Sequence, residues 1–163
     1  MMSHENFSGS IDRQVRSLQV ICFAFIVSLV IYAGLAWTLV EVVGFDAVVD
    51  LDPTLTAAIA MVALGTLPAA EMLSRMLKAK AGLLGRDAGA EATLRAYSQA
   101  VIVGFALRES CGIIGLVLSL LTGSMLWAVT LSAVALVAMV VAWPRSHAMQ
   151  EWLLQQVPGQ RQG

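Results

Sequence analysis

Four long apolar runs alternate with short polar segments along the chain. They cover residues 17–40, 54–73, 97–121 and 125–143. A helix needs about 20 apolar residues to cross a hydrocarbon core about 30 Å thick, and each run is close to that length. The pattern predicts an all-α polytopic membrane protein with four transmembrane helices.

The boundaries of these runs carry helix start and stop signals. Asp52 and Pro53 suit the start of the second helix, because the carboxylate can accept from exposed amides and proline needs no N–H partner there. Gly123 and Ser124 predict a tight turn that makes the third and fourth helices antiparallel neighbours. Pro144 ends the last run.

The segments outside the runs are too short to form a soluble domain, so residues 1–163 are expected to make one membrane domain. Residues 74–96 form a polar loop that is expected to continue both flanking helices. In residues 146–157, Met149, Trp152 and Leu153 recur at helical spacing, which predicts a short helix lying on the membrane surface.

Composition and charge agree with a membrane protein and give it an orientation. The chain is 58% hydrophobic and 13% charged, with a mean hydropathy of +0.79, which is more apolar than soluble domains. Nine of its ten Lys and Arg residues fall before the first run, between the second and third, or after the fourth. By the positive-inside rule both termini and the 74–96 loop are cytoplasmic.

Two other classes of protein fit the sequence poorly. The first apolar run is long for a secretory signal and continues past a candidate cleavage site, so it is expected to remain in the protein. With a pI near 6.1 and basic residues spread along a membrane-facing loop, the expected partner is the lipid bilayer and not nucleic acid.

Motifs for metal binding, cofactors or catalysis are absent from the sequence. Cys22 and Cys111 each stand inside an apolar run without a CxxC motif, and His4 and His147 have no second histidine at ligand spacing. No nucleophile, base and third group recur at a catalytic spacing. We therefore expect a protein without a metal, a cofactor or an enzymatic activity.

The informative residues are the charges inside the apolar runs. Glu71 and Arg75 stand four positions apart near the end of the second run, an order that favours an interfacial ion pair. Arg108 and Glu109 lie about 17 Å along the third helix, near the middle of the membrane. A charge at that depth needs a partner or water, and adjacent residues point about 100° apart around a helix.

A line of small residues runs along the third helix on the Arg108 face. Such a line is a close-packing surface for another helix, and the second run offers a matching line that includes Gly65 and Ala69. The residues of the third helix in this line are Gly104, Cys111, Gly115 and Ser119.

The stretch "ALRESCGIIGLVLSLL" resembles the second helix of the proteolipid c subunit of rotary ATP synthases. The matching positions are Ala106, Leu107, Glu109, Ile113, Gly115 and Leu116. The resemblance implies that Glu109 binds a proton or a sodium ion at mid-membrane. As a whole, the chain resembles small four-span proteins of the bacterial inner (plasma) membrane, which implies that location.

Two functions follow from these observations. The first is a structural or accessory subunit that packs through the third helix into a homo-oligomer or a larger membrane complex, with Arg108 and Glu109 as a polar clamp. The second is a proton- or cation-translocating component in which Glu109 binds the ion, supported by Arg108, Ser110 and Tyr97. The first is favoured, because a fixed cation stabilises an ionised carboxylate, whereas a proton carrier must become neutral.

Overall fold

The computed structural model describes residues 4–49, 51–147, 149, 151 and 152, and the side chains of these residues outside 4–12 and 84–91. Within them all regular structure is helical. Helix α1 (His4–Trp37) continues into a π-helical turn (Thr38–Val42), and is followed by α2 (Pro53–Thr122) and α3 (Leu126–Val141). Helix α1 thus begins well before the apolar run at residue 17.

Helix α2 contains both the second and the third apolar runs. We call Pro53–Leu83 its first arm and Ala92–Thr122 its second arm. A straight helix would hold Glu71 and Arg108 about 55 Å apart, but their side chains form an ion pair at 3.0 Å. The two arms therefore pack side by side and antiparallel.

The remaining contacts define an up-and-down bundle. The rings of Phe25 in α1 and Phe105 in the second arm lie 6.3 Å apart, and these two helices run parallel because two reversals of the chain separate them. At one end of the bundle the amide of Gln19 donates to the carbonyl of Pro144 at 3.1 Å. At the other end the amide of Val49 donates to the carbonyl of Leu121 at 3.3 Å.

Among the described residues, three helical segments are long and apolar enough to cross a membrane: Arg13–Val42 and the two arms of α2. Helix α3 is apolar but has only 16 residues, about 24 Å of length. It is shorter than the predicted span of 125–143, because the helix ends at Val141 ahead of Pro144, whose ring cannot continue it. The described part of the chain thus contains three candidate spans and one shorter apolar helix.

The signals predicted at the ends of α2 are confirmed. The carboxylate of Asp52 accepts a hydrogen bond from the amide of Thr54 at 2.6 Å, and Pro53 occupies the first helical position. Hydrogen bonding to Thr54 lowers the pKa of Asp52 from its ordinary value. Gly123 adopts a left-handed conformation with φ 63°, which a side chain would disfavour, and its amide donates to the carbonyl of Ser119.

Apolar side chains fill the bundle interior and also cover its outside. The buried core includes Leu29, Ala63, Phe105, Leu118, Leu131 and Met139. On the outside, Val20, Met61 and Val141 are 66%, 73% and 78% exposed. An outer surface this apolar is suited to lipid contact.

The described part of the C-terminal segment packs against the bundle. Residues 146, 147, 149, 151 and 152 have helical backbone. Met149 is buried in the core, and the ring of Trp152 lies 5.0 Å from that of Tyr97. Leu153 and the rest of the predicted surface helix lie outside the described residues.

Candidate functional site

Arg108 is buried between the two arms of α2 and is paired with Glu71. Arg108 is only 5% exposed, and its Nη2 lies 3.0 Å from Glu71 Oε2. The other oxygen of Glu71, Oε1, lies 2.8 Å from Nε of Arg75. Glu71 therefore bridges one buried and one exposed guanidinium, and it links the first arm to the second.

The Arg108–Glu71 pair forms between residues at nearly the same depth. Gly104 faces Ser74, and in antiparallel arms this register places Glu71 level with Leu107, next to Arg108. The Phe105 ring lies 5.9 Å from the guanidinium carbon of Arg108, so the arginine side chain also contacts apolar surface. The sequence left this pairing open.

Glu109 points to a different neighbour, helix α1. Its Oε1 accepts hydrogen bonds from the hydroxyls of Ser28 at 2.5 Å and Tyr32 at 2.9 Å. The Ser28 hydroxyl also lies 2.8 Å from the carbonyl of Phe25 in its own helix. Arg108 and Glu109 thus tie the second arm to two different helical segments, which agrees with the divergence of about 100° between adjacent side chains on a helix.

The other two candidate ion-binding residues lie away from Glu109. Ser110 donates to the carbonyl of Ala106 in its own helix at 3.1 Å. Tyr97 is twelve positions before Glu109, about 18 Å along the arm, and its ring lies 4.9 Å from the Lys78 ammonium. The structure does not bring these residues together around the carboxylate.

The partners that do reach Glu109, Ser28 and Tyr32, were missed by the sequence reasoning. The signal was present, since both are polar, stand four positions apart and share one face of an otherwise apolar run. A hydroxyl pair of this kind in a membrane helix commonly bonds across to another helix. Identifying them as partners of Glu109 required knowing which helix faces that residue.

The line of small residues on the second arm packs against other helical segments of the same chain. A Cβ added to Gly115 would lie 2.9 Å from the Cβ of Leu131 and 3.0 Å from the carbonyl oxygen of Trp127, so α3 packs directly on this glycine. Cys111 is buried against α3, with its sulfur 3.8 Å from the carbonyl of Leu131. Gly104 instead faces Ser74 of the first arm.

The matching line of small residues predicted on the first arm faces the outside of the bundle and not the second arm. Gly65 and Ala69 are exposed, and a Cβ added to Gly65 would meet nothing within 4 Å. The first arm presents small residues on two faces, and the buried face carries Ala63 and Ala70. Pattern alone could not choose between the two faces, since both are small and apolar.

Ser119 joins the second arm to the start of α3. Its hydroxyl oxygen accepts a hydrogen bond from the amide of Ala128 at 2.7 Å, which is one of the amides at a helix start that lack an intrahelical partner. The serine thus caps a helix that follows it in the chain. Met125, the residue at the start of α3, makes no side-chain cap of its own.

Replacing Ser119 by alanine is expected to lower the free energy of unfolding by about 1 kcal/mol, because the Ala128 amide loses its acceptor in a buried place. The matched control is Ser110→Ala, whose hydroxyl only bonds its own helix and whose loss should cost less than about 0.5 kcal/mol. Unfolding in mixed dodecyl sulfate micelles, followed by tryptophan fluorescence, measures both. Equal losses in the two variants would contradict the capping role.

Among the side chains that the structure describes, no three His, Cys, Asp or Glu residues lie close enough to hold a metal ion. Comparison with known proteins adds nothing to the geometry. No family model, curated protein or solved structure matches this chain.

Proposed function

We propose that the chain is a small non-enzymatic integral membrane protein with a structural or accessory role in a membrane complex or homo-oligomer. The observation that carries this proposal is that both mid-span charges are bonded inside the chain, Arg108 to Glu71 and Glu109 to Ser28 and Tyr32. Polar groups placed in this way fix the register of neighbouring helices. Because α3 and the first arm fill the small-residue line, contacts with other subunits use the outer faces of the bundle.

A four-span topology with both termini in the cytoplasm of a bacterial cell is part of this proposal. It is supported by the clustering of basic residues at one end of the bundle, where Lys78 and Arg145 line the same cavity and Gln19 of α1 meets Pro144. Helix α3 serves as the fourth span, since the flanking Ala142 and Trp143 extend its apolar length. Positive charge is retained on the cytoplasmic side.

A second candidate function is the binding of a proton or a small cation by Glu109. The specific observation in its favour is that a carboxylate and two hydroxyl oxygens converge within the bundle, and hard cations prefer oxygen ligands. The resemblance of this stretch to the proteolipid helix points to the same residue. In this function Ser28 and Tyr32, and not Ser110 and Tyr97, support the carboxylate.

Two substitutions of Glu109 separate these functions. Glu109→Leu removes the acceptor of two hydroxyls and is expected to lower the free energy of unfolding by about 1–2 kcal/mol, whereas the amide oxygen of Glu109→Gln can still accept from both. For a structural protein, purified wild-type protein in liposomes carries no proton or sodium flux above empty liposomes. A flux that Glu109→Gln abolishes without changing the stability would overturn the structural proposal in favour of ion translocation.

A further inference from the structure

A cavity of about 510 Å³ opens between the two arms of α2 and the end of α3. Its polar wall consists of Glu71, Ser74, Arg75, Lys78 and Arg108. The opposite walls are apolar. The cavity therefore has charged side chains on one wall and apolar side chains on the others.

The charges lining this cavity do not balance. Glu71 supplies one carboxylate against the cations of Arg75, Lys78 and Arg108, and it already binds both arginines. Lys78 is half-buried, and its ammonium lies over the Tyr97 ring. In the described part of the chain no carboxylate lies within ion-pair distance of Lys78. A surplus of positive charge among apolar side chains is costly until an anion neutralises it.

A second cavity, of about 240 Å³, adjoins the first at the basic end of the bundle. The two share Lys78 and Val101 in their linings, and the second adds Arg145 together with the rings of Tyr97 and Trp143. Aromatic rings of this kind prefer the boundary between headgroups and acyl chains. Lys78 thus stands where a ligand can reach both the apolar walls and the polar surface.

We propose that these adjoining cavities bind the phosphate headgroup of an anionic phospholipid, with Lys78 and Arg75 as its cationic ligands and Arg145 at the rim. A phosphodiester offers several acceptor oxygens to the ammonium and guanidinium groups. The apolar walls, which include Leu67, Phe105 and Val141, contact the start of an acyl chain. This site is separate from Glu109 and does not depend on the function proposed for that residue.

The same cluster of cations can also bind a free phosphate ion, but the apolar walls favour the lipid. A soluble ion gains nothing from Leu67, Phe105 or Val141, whereas an acyl chain covers them. A cluster of cations on the cytoplasmic side of a membrane helix is also a common recognition site for anionic headgroups. The experiment therefore compares lipid with free phosphate.

The test is native mass spectrometry of the full-length protein, purified in a neutral detergent and titrated with dioctanoyl phosphatidylglycerol. The variant is Lys78→Gln, and the matched control is Lys80→Gln. Lys80 lies on the same arm, is exposed, and lines neither cavity, so both variants lose one positive charge. Dioctanoyl phosphatidylcholine and inorganic phosphate are the two comparison ligands.

We expect one tightly bound phosphatidylglycerol in the wild-type protein and in Lys80→Gln, and at least about fivefold weaker binding in Lys78→Gln. Phosphatidylcholine should bind at least about fivefold more weakly than phosphatidylglycerol, because its choline group cancels the phosphate charge. The proposal is overturned if Lys78→Gln and Lys80→Gln bind phosphatidylglycerol equally well, or if the two lipids bind equally. Displacement of the lipid by millimolar inorganic phosphate would overturn the lipid assignment and indicate a free phosphate site.

Discussion

Replacing Glu71 by alanine is expected to lower the free energy of unfolding by about 3 kcal/mol. The reason is the partner it leaves behind: Arg108 is 5% exposed, and a buried charge that loses its counter-ion is strongly destabilising. Reversible unfolding in mixed dodecyl sulfate micelles, followed by tryptophan fluorescence, gives the difference from the wild-type protein. The same variant should also accumulate less in the membrane, because an unpaired arginine at this depth opposes insertion.

Arg75→Ala is the matched control for this prediction. The side chains of Arg75 and Glu71 are 78% and 48% exposed, and an exposed ion pair contributes less than about 1 kcal/mol. A rescue experiment adds Arg108→Met to Glu71→Ala, which removes the unpaired charge and should recover at least half of the lost stability. Similar losses for Glu71→Ala and Arg75→Ala, or no rescue by the double substitution, would show that Arg108 does not depend on Glu71.

Replacing Gly115 by leucine is expected to destabilise the bundle by about 3 kcal/mol or more. Even a Cβ at this position would approach the Leu131 Cβ to 2.9 Å and the Trp127 carbonyl oxygen to 3.0 Å. The second of these atoms belongs to the backbone, so the clash cannot be relieved by a rotamer change and α3 must move away. The expected result in the same micelle titration is a lower midpoint, with loss of the Ser119 contact to Ala128 as the helices separate.

Gly65→Leu provides the control in the first arm. It introduces the same side chain into the other arm of α2, but a Cβ at Gly65 meets nothing within 4 Å. We expect a change of less than about 1 kcal/mol, and a small gain is reasonable because glycine is a poor helix former. If Gly65→Leu is as damaging as Gly115→Leu, the first arm is packed through its outer face. That face would then be a contact with another subunit.

Much of the fold was predictable because membrane insertion imposes simple requirements on a sequence. Apolar length located the three candidate spans and α3, and Asp52 and Gly123 marked the two ends of α2 through their local chemistry. The length of α3 was overestimated, since Trp143 is apolar and hydropathy alone gives no reason to exclude it. The proline one residue later ended the helix before that tryptophan.

The candidate site was less predictable, because it depends on which helix faces which. Glu109 was recognisable from its depth, but Ser28 and Tyr32 became its partners only through the placement of α1. Gly65 and Ala69 were predicted to pack against the second arm because they form a line of small residues, yet the structure turns the face with Ala63 and Ala70 inward. Sequence fixes how far along a helix a residue lies, and the rotation of the helix is set by the whole bundle.

The polar partners share a feature that concerns how the protein is made. Ser28, Tyr32 and Glu71 all precede Arg108 and Glu109 in the chain. A ribosome therefore delivers α1 and the first arm before the two mid-span charges emerge. When the second arm enters the membrane, the hydroxyls that donate to Glu109 and the carboxylate that pairs with Arg108 are already present. The order of synthesis therefore means that neither charge has to wait in the membrane for a partner that is made later.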